Sequence, residues 1–142
     1  MFRSLTDTMF VAPQIGLDDV KAARDAGITL IINNRPDEEE AGQISGAEIE
    51  AAAAALGINY VAIPVTHSGF SQPQVQAMAD ALDGAVGPVL GYCRSGTRSC
   101  LLWALAEASQ GAEPDDVTEI AANAGYDATS IRPLLDMLKA QA

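Results

Sequence analysis

Three short apolar, β-branched runs stand out along the chain, and stretches with helical spacing separate them. The runs are Ile28–Asn33 (ITLIIN), Ile58–Val65 (INYVAIPV) and Pro88–Tyr92 (PVLGY). Their length and composition predict buried strands. Leu17–Ala26 places Val20, Ala23 and Ala26 on one side and stops at Gly27, as an amphipathic helix does. Gly46–Leu56 is Ala-rich and closes on Gly57. Ser71 is a good N-cap for a helix over Gln72–Ala85, with Pro73 tolerated in the first turn. Further helices are predicted over Ser99–Gln110, stopped by Gly111, over Pro114–Ala124, stopped by Gly125, and over Ser130–Ala140. Asn33–Ser45 is a polar loop, and Met9–Ile15 reads as an edge strand or hairpin. The alternation of strand and helix predicts an α/β fold, a central, mainly parallel sheet flanked by helices on both faces. In such a sheet, ligands bind outside the carboxyl ends of the strands. The loops that begin at Asn33, Val65 and Cys93 share that edge, so a site should be assembled from these three.

Length and composition narrow the function classes. The 142 residues carry 8 Lys+Arg against 19 Asp+Glu, a formal charge of −11. One domain over residues 1–142 is expected at this length. The acidic balance argues against nucleic acid or an anionic membrane as the main partner, since both attract basic surfaces. It leaves room for a small anionic substrate held by a local pocket of backbone N–H groups and Arg side chains. The opening Met1–Asp7 has no long apolar stretch, and the two cysteines, Cys93 and Cys100, make no disulfide scaffold; a reducing cytoplasm is the expected compartment. With His67 the sole histidine, a zinc site is not expected, and neither is any other cofactor.

The third strand runs directly into Cys93-Arg94-Ser95-Gly96-Thr97-Arg98, followed by Ser99 and a strongly apolar helix. A cysteine between a buried strand and a helix start faces unpaired N–H groups, which favour thiolate over thiol and should bring its pKa below the free value of about 8.5. Gly96 allows the loop to wrap tightly. Arg98 supplies a planar fork for the oxygens of a tetrahedral oxyanion. Cys93 and Arg98 are therefore the candidate catalytic pair, with Arg94, Ser95, Gly96, Thr97 and Ser99 as candidate substrate contacts. Cys100 and Trp103 read as core residues of the helix. Glu38-Glu39-Glu40 reads as a solvated face, and Phe70 as a pocket wall or a staple for the helix after Ser71.

The stretch Tyr92–Ser99 resembles the active-site loop of single-domain rhodaneses. Ile31–Glu39 and Tyr60–Val65 resemble the phosphatase-like domain of beta-lactamase-hydrolase-like proteins, also described as a sulfurtransferase family. The likeness runs from about Met9 to Gln110. It implies the cysteine dual-specificity-phosphatase-like fold, and a persulfide dioxygenase of the metallo-hydrolase type as a partner, since the domain is often fused to one. It also implies that Arg35 and Asp37 on the first rim loop lie near the pocket, although an Arg–Asp loop clamp explains them equally.

The resemblance leaves two chemistries, and spacing weighs between them. Cysteine phosphatases carry His-Cys, five residues, then Arg; here Tyr92 replaces the His, four residues separate Cys93 from Arg98, and Ser99 occupies the place of the phosphatase Arg. Dual-specificity phosphatases place an Asp shortly after the Ile-Pro-Val strand to protonate the leaving alkoxide. Thr66–Phe70 holds no carboxylate, which leaves Asp37 or His67 as substitutes. Sulfite leaves thiosulfate without an acid. The expectation is therefore a sulfurtransferase moving sulfane sulfur from thiosulfate or a persulfide to a thiol acceptor through a Cys93 persulfide. The alternative is a phosphatase acting on phosphate monoesters through a phosphocysteine. Two other classes stay open: a non-catalytic anion binder, and a redox sensor in which Cys93 forms a sulfenic acid or pairs with Cys100.

Overall fold

The computed structural model describes residues 2–142 and contains a five-stranded sheet with six α-helices. The strands are β1 (Arg3–Ser4), β2 (Met9–Ala12), β3 (Leu30–Asn33), β4 (Asn59–Ala62) and β5 (Val89–Tyr92). The helices are α1 (Leu17–Asp25), α2 (Gly46–Ala55), α3 (Gln72–Gly84), α4 (Thr97–Ser109), α5 (Pro114–Asn123) and α6 (Arg132–Gln141). Sheet order is β1-β2-β5-β3-β4, with only β1 antiparallel to its neighbour. Of the two expectations for the Met9 run, the hairpin is the one found: β2 pairs antiparallel with β1 and parallel with β5, so it is not the edge. Two exposed residues, Arg3 and Ser4, form that edge and carry no apolar pattern of their own.

Register aligns the ends of the four parallel strands. Ala12 and Asn33 both lie opposite Tyr92, and Asn33 lies opposite Ala62. The chain therefore leaves all four strands along one edge, with the β5 exit near its centre. Side chains alternate across the sheet, as a pleated strand requires. Leu30, Ile32 and Val89 pack toward α3–α6, and Ile31, Leu90 and Tyr92 toward α1 and α2. The α4 helix is buried over most of its circumference, Cys100–Ala106 being wholly or nearly inaccessible, because α3, α5 and α6 surround it. Its unbroken apolar sequence reflects that position. No helix among the described residues is long and apolar enough to cross a membrane.

The first turn of α2 is clamped. A Cβ on Gly46 would lie 2.7 Å from Tyr60 Oη and 2.9 Å from Asn33 Nδ2, closer than side chains approach. Alanine ordinarily stabilises a helix relative to glycine by roughly 1 kcal/mol. Gly46→Ala is expected to do the opposite and lower the thermal midpoint, because the Asn33–Tyr60 hydrogen bond (2.9 Å) must move to admit the methyl. An unchanged or raised midpoint in a thermal melt would show that this corner has slack.

Candidate active site

The three predicted loops do converge, and a residue overlooked in the sequence joins them. Asn34, fully buried, gives its N–H to Tyr92 O (2.8 Å) and its side-chain Nδ2 to Ile63 O (2.9 Å). Its carbonyl accepts from Val65 N (3.0 Å), and its Oδ1 accepts from Ser99 Oγ (2.8 Å). The segments that follow β3, β4 and β5 are thus joined through one asparagine.

Cys93 follows β5, with its N–H on Ala12 O (3.4 Å) and no exposed surface. Gly96, at φ 93°, turns its N–H onto Cys93 Sγ at 3.1 Å. The next amide, Thr97 N–H, is taken by Ser95 Oγ (3.4 Å), whose own proton goes to Thr97 Oγ1 (3.0 Å). The sulfur therefore receives one identified amide rather than a ring of them. It lies on the floor of a closed loop, not at an open mouth.

Arg98 projects back over this floor from the first turn of α4. Its Nη1 donates to Glu39 Oε2 and to Val65 O (both 2.7 Å), and its Nη2 to Glu39 Oε1 (2.8 Å). Three of its five N–H donors are thus occupied, so the fork expected to face an oxyanion faces a carboxylate at rest. The Glu39 bond raises the Arg98 pKa against the opposing effect of burial, and the nearby Cys93 sulfur adds to it. In return, the hydrogen bond from Arg98, and behind it that from Arg35, holds the Glu39 carboxyl at about 2 although burial acts the other way.

Glu39 is the second residue misjudged from sequence. Its side chain is 14% exposed and sits between two guanidiniums, not on a solvated face. Arg35 is buried, with Nε on Glu39 (2.9 Å), Nη2 on Glu40 (3.1 Å) and Nη1 on Gln14 Oε1 (3.0 Å). Its partners are thus glutamates, not Asp37. The four-residue step from Arg35 to Glu39 is visible in the sequence; the 59-residue step to Arg98 is not.

The remaining candidates separate into two groups. Ser95, Gly96 and Thr97 build the loop itself. Arg94 is exposed, with Nη2 3.9 Å from Glu40 Oε2. Ser99, by contrast, turns inward: it is fully buried on Asn34, and its Cβ lies 3.3 Å from where a Cβ of Gly91 would stand. Its hydroxyl serves the scaffold, which removes it from the substrate contacts. Asp37 is exposed and accepts the Gly46 N–H (2.8 Å), fixing the start of α2, and His67 is exposed on the Thr66–Gly69 turn. No hydrogen bond among the described residues joins Asp37 or His67 to the Cys93–Arg98 loop. Phe70 packs on the α3–α4 core, and Cys100 lies inside it, where burial pushes its thiol up to about 12. Tyr92, standing where phosphatases hold a histidine, is buried with its hydroxyl toward Tyr60 and Gln14, and burial raises its pKa well above the ordinary value.

Residues 1–110 match the family model described as the phosphatase-like domain of the Beta-lactamase hydrolase-like protein. The chain belongs to that family. It is 32% identical over 124 residues to the Beta-lactamase hydrolase-like protein of Agrobacterium fabrum, an alignment covering 87% of this chain and 29% of that one. The chain thus spans under a third of the curated relatives it matches. A Neisseria meningitidis protein provisionally named a phosphatase superimposes with a TM-score of 0.83 at 32% identity, covering 96% of each chain. The catalytic core of the PP-IP phosphatase SIW14 of Saccharomyces cerevisiae shares the fold at a TM-score of 0.70 and 13% identity, over 96% of this chain and 83% of that one. The domain therefore has a cysteine-phosphatase fold, as expected. These neighbours' names lean toward phosphate chemistry, and the sulfur-transfer expectation draws no support from them.

Proposed function

We propose that this domain is a cysteine-dependent sulfurtransferase in which Cys93 carries the sulfur. The observation behind the reading is the short loop: four residues separate Cys93 from Arg98, and the place of a phosphatase arginine holds Ser99, buried against Asn34 and Gly91. A tighter loop suits a sulfur atom better than a phosphoryl group with three equatorial oxygens. Proton supply argues the same way. An alkoxide leaving group needs an acid, and Glu39, the carboxylate bound to Arg98, is ionised throughout the neutral range.

In the first step the Cys93 thiolate attacks the outer sulfur of thiosulfate. The S–S bond to the sulfonate breaks, sulfite departs with the electron pair, and Cys93 is left as an anionic persulfide. In the second step an acceptor thiolate attacks the terminal sulfur, giving an acceptor persulfide and restoring the Cys93 thiolate. A persulfide donor follows the same course with a thiolate in place of sulfite. The Gly96 N–H stabilises sulfur anions on the floor, and Arg98, which also reaches the Cys93 sulfur, presents to the donor the N–H groups that Glu39 and Val65 do not take. Because Cys93 has no exposed surface, the rim must open for the donor to enter. A persulfide-producing or persulfide-consuming enzyme, such as the dioxygenase implied by the resemblance, would be the fitting partner.

Phosphate monoester hydrolysis is the second reading, favoured by the neighbours' fold and the naming of the Neisseria protein. One assay separates the two. The protein is incubated with thiosulfate, glutathione persulfide or an aryl phosphate, with and without vanadate. A mass gain of one sulfur atom on the Cys93 peptide, with negligible aryl phosphate turnover, is expected. Vanadate-sensitive hydrolysis without that adduct would establish the phosphatase instead.

A further inference from the structure

The peptide group between Ser95 and Gly96 is gripped at both ends. Its N–H, from Gly96, points at Cys93 Sγ (3.1 Å). Its carbonyl, from Ser95, accepts a hydrogen bond from Tyr126 Oη (3.5 Å). In a trans peptide these two groups point in opposite directions, so one rigid plane connects the phenol to the sulfur.

Tyr126 lies between α5 and α6, outside the residues that match the family model. Several contacts fix it there. It is 7% exposed, and its N–H bonds Ala121 O (2.9 Å). The Arg3 guanidinium stacks over its ring, 5.3 Å from the centroid, while Arg3 Nη1 bonds Ala124 O (2.8 Å). A Cβ on Gly96 would run into Tyr126 Oη, so the hydroxyl fills the space beside the glycine.

We infer that Tyr126 is a positioning residue for Cys93, its hydroxyl orienting and polarising the Ser95–Gly96 peptide so that the amide hydrogen faces the sulfur. The inference rests on the reading of Cys93 as the nucleophile. A hydrogen bond at the carbonyl draws electron density from the amide and strengthens its N–H as a donor; chains of hydrogen bonds reinforce one another in this way. Loss of the hydroxyl also frees the plane to rotate, which would turn a carbonyl dipole toward a thiolate. Burial keeps the phenol protonated, with the Cys100 and Cys93 charges adding to it and Arg3 opposing, so it remains a donor across the neutral range. The other titratable or charged groups around the sulfur are Arg98, with Glu39 behind it, and Cys100. None of these touches the Ser95 carbonyl.

The test is Tyr126→Phe, which keeps the ring and the Arg3 stack and removes the hydroxyl. Thiolate absorbance is followed against pH in the wild type and the variant, with Cys93→Ser as the blank. The variant's midpoint should rise by about half a pH unit or more. Turnover in the favoured assay should show a lower kcat with an unchanged KM, since the hydroxyl touches the loop and not the substrate. Arg3→Met, which loosens the ring from the opposite side, should shift the midpoint the same way by a smaller amount. An unchanged midpoint in Tyr126→Phe would overturn the inference. If instead the wild-type protein neither takes up sulfur on Cys93 nor turns over any of the assay substrates, the reading of Cys93 as nucleophile fails.

Discussion

Cys93→Ser should abolish turnover of every substrate that the domain accepts, by at least ~10⁴-fold, while leaving the fold intact. Removal of a covalent nucleophile has effects on this scale or larger. A serine oxygen at this position can still receive the Gly96 N–H, so the loop keeps its hydrogen bond. It cannot, however, form a persulfide, and it does not ionise at neutral pH. The expected stability change is about 1 kcal/mol, because one small buried group replaces another. Residual sulfur loading in the variant, located by peptide mass spectrometry to Cys100, would redirect the chemistry to the second thiol. That outcome is disfavoured by the position of Cys100 in the α4 core with its thiol pushed up to about 12.

Glu39→Gln should have the second largest effect, and it should register in both stability and activity. Glu39 accepts three hydrogen bonds from two guanidiniums, and the Arg35 side chain is 1% exposed. An amide in its place offers one acceptor oxygen and turns an NH₂ toward cationic donors. Breaking a buried ion pair from one side costs 3–5 kcal/mol in general, and about 3 is expected here because Glu40 still serves Arg35. For a chain of this length that is a fall of about 10 °C in thermal midpoint. Activity should fall with it, since only Val65 O would still hold Arg98 over the sulfur.

Acid provides an independent check on the same residue. The Glu39 carboxyl is held at about 2 in the folded protein, below its ordinary 4.5. Its contribution is therefore fully present above pH 4.5 and is lost as pH falls toward 2. The stability gap between wild type and Glu39→Gln should narrow across that window and stay constant above it. A gap that does not change with pH would mean that the carboxylate charge is not what holds the two arginines.

The parts of this structure that were legible from sequence are local ones. Gly27, Gly57, Gly111 and Gly125 end helices with positive φ angles, and the sequence punctuation places them correctly. The capping role of Ser71 is visible from its neighbours, and its Oγ does accept the Gln74 N–H. Cys93 and Arg98 are legible for the same reason, since one stretch of six residues carries both. What stayed hidden depends on long-range contact. Asn34 looks like any loop asparagine until Ile63, Val65, Tyr92 and Ser99 surround it. Glu39 sits in a run of three glutamates whose pattern is that of a solvated surface, and only the fold brings Arg98 to it. Tyr126 lies 31 positions beyond Ser95, with two helices, α4 and α5, between them. The β1 edge was missed because a two-residue strand has no periodicity to read.

The packing of Ser99 sets a condition on how this domain can diverge. An arginine at that position would have to leave a fully buried site whose Cβ lies 3.3 Å from where a Cβ on Gly91 would stand and where Asn34 Oδ1 takes a hydroxyl proton. Point substitution alone therefore offers no gradual route from this loop to one with its arginine a residue later. A lineage crossing between the two loop types needs an inserted or deleted codon, and the Asn34 anchor must be rebuilt in the same event. Loop length should accordingly behave as a discrete marker that partitions relatives into separate branches, with few intermediates between them.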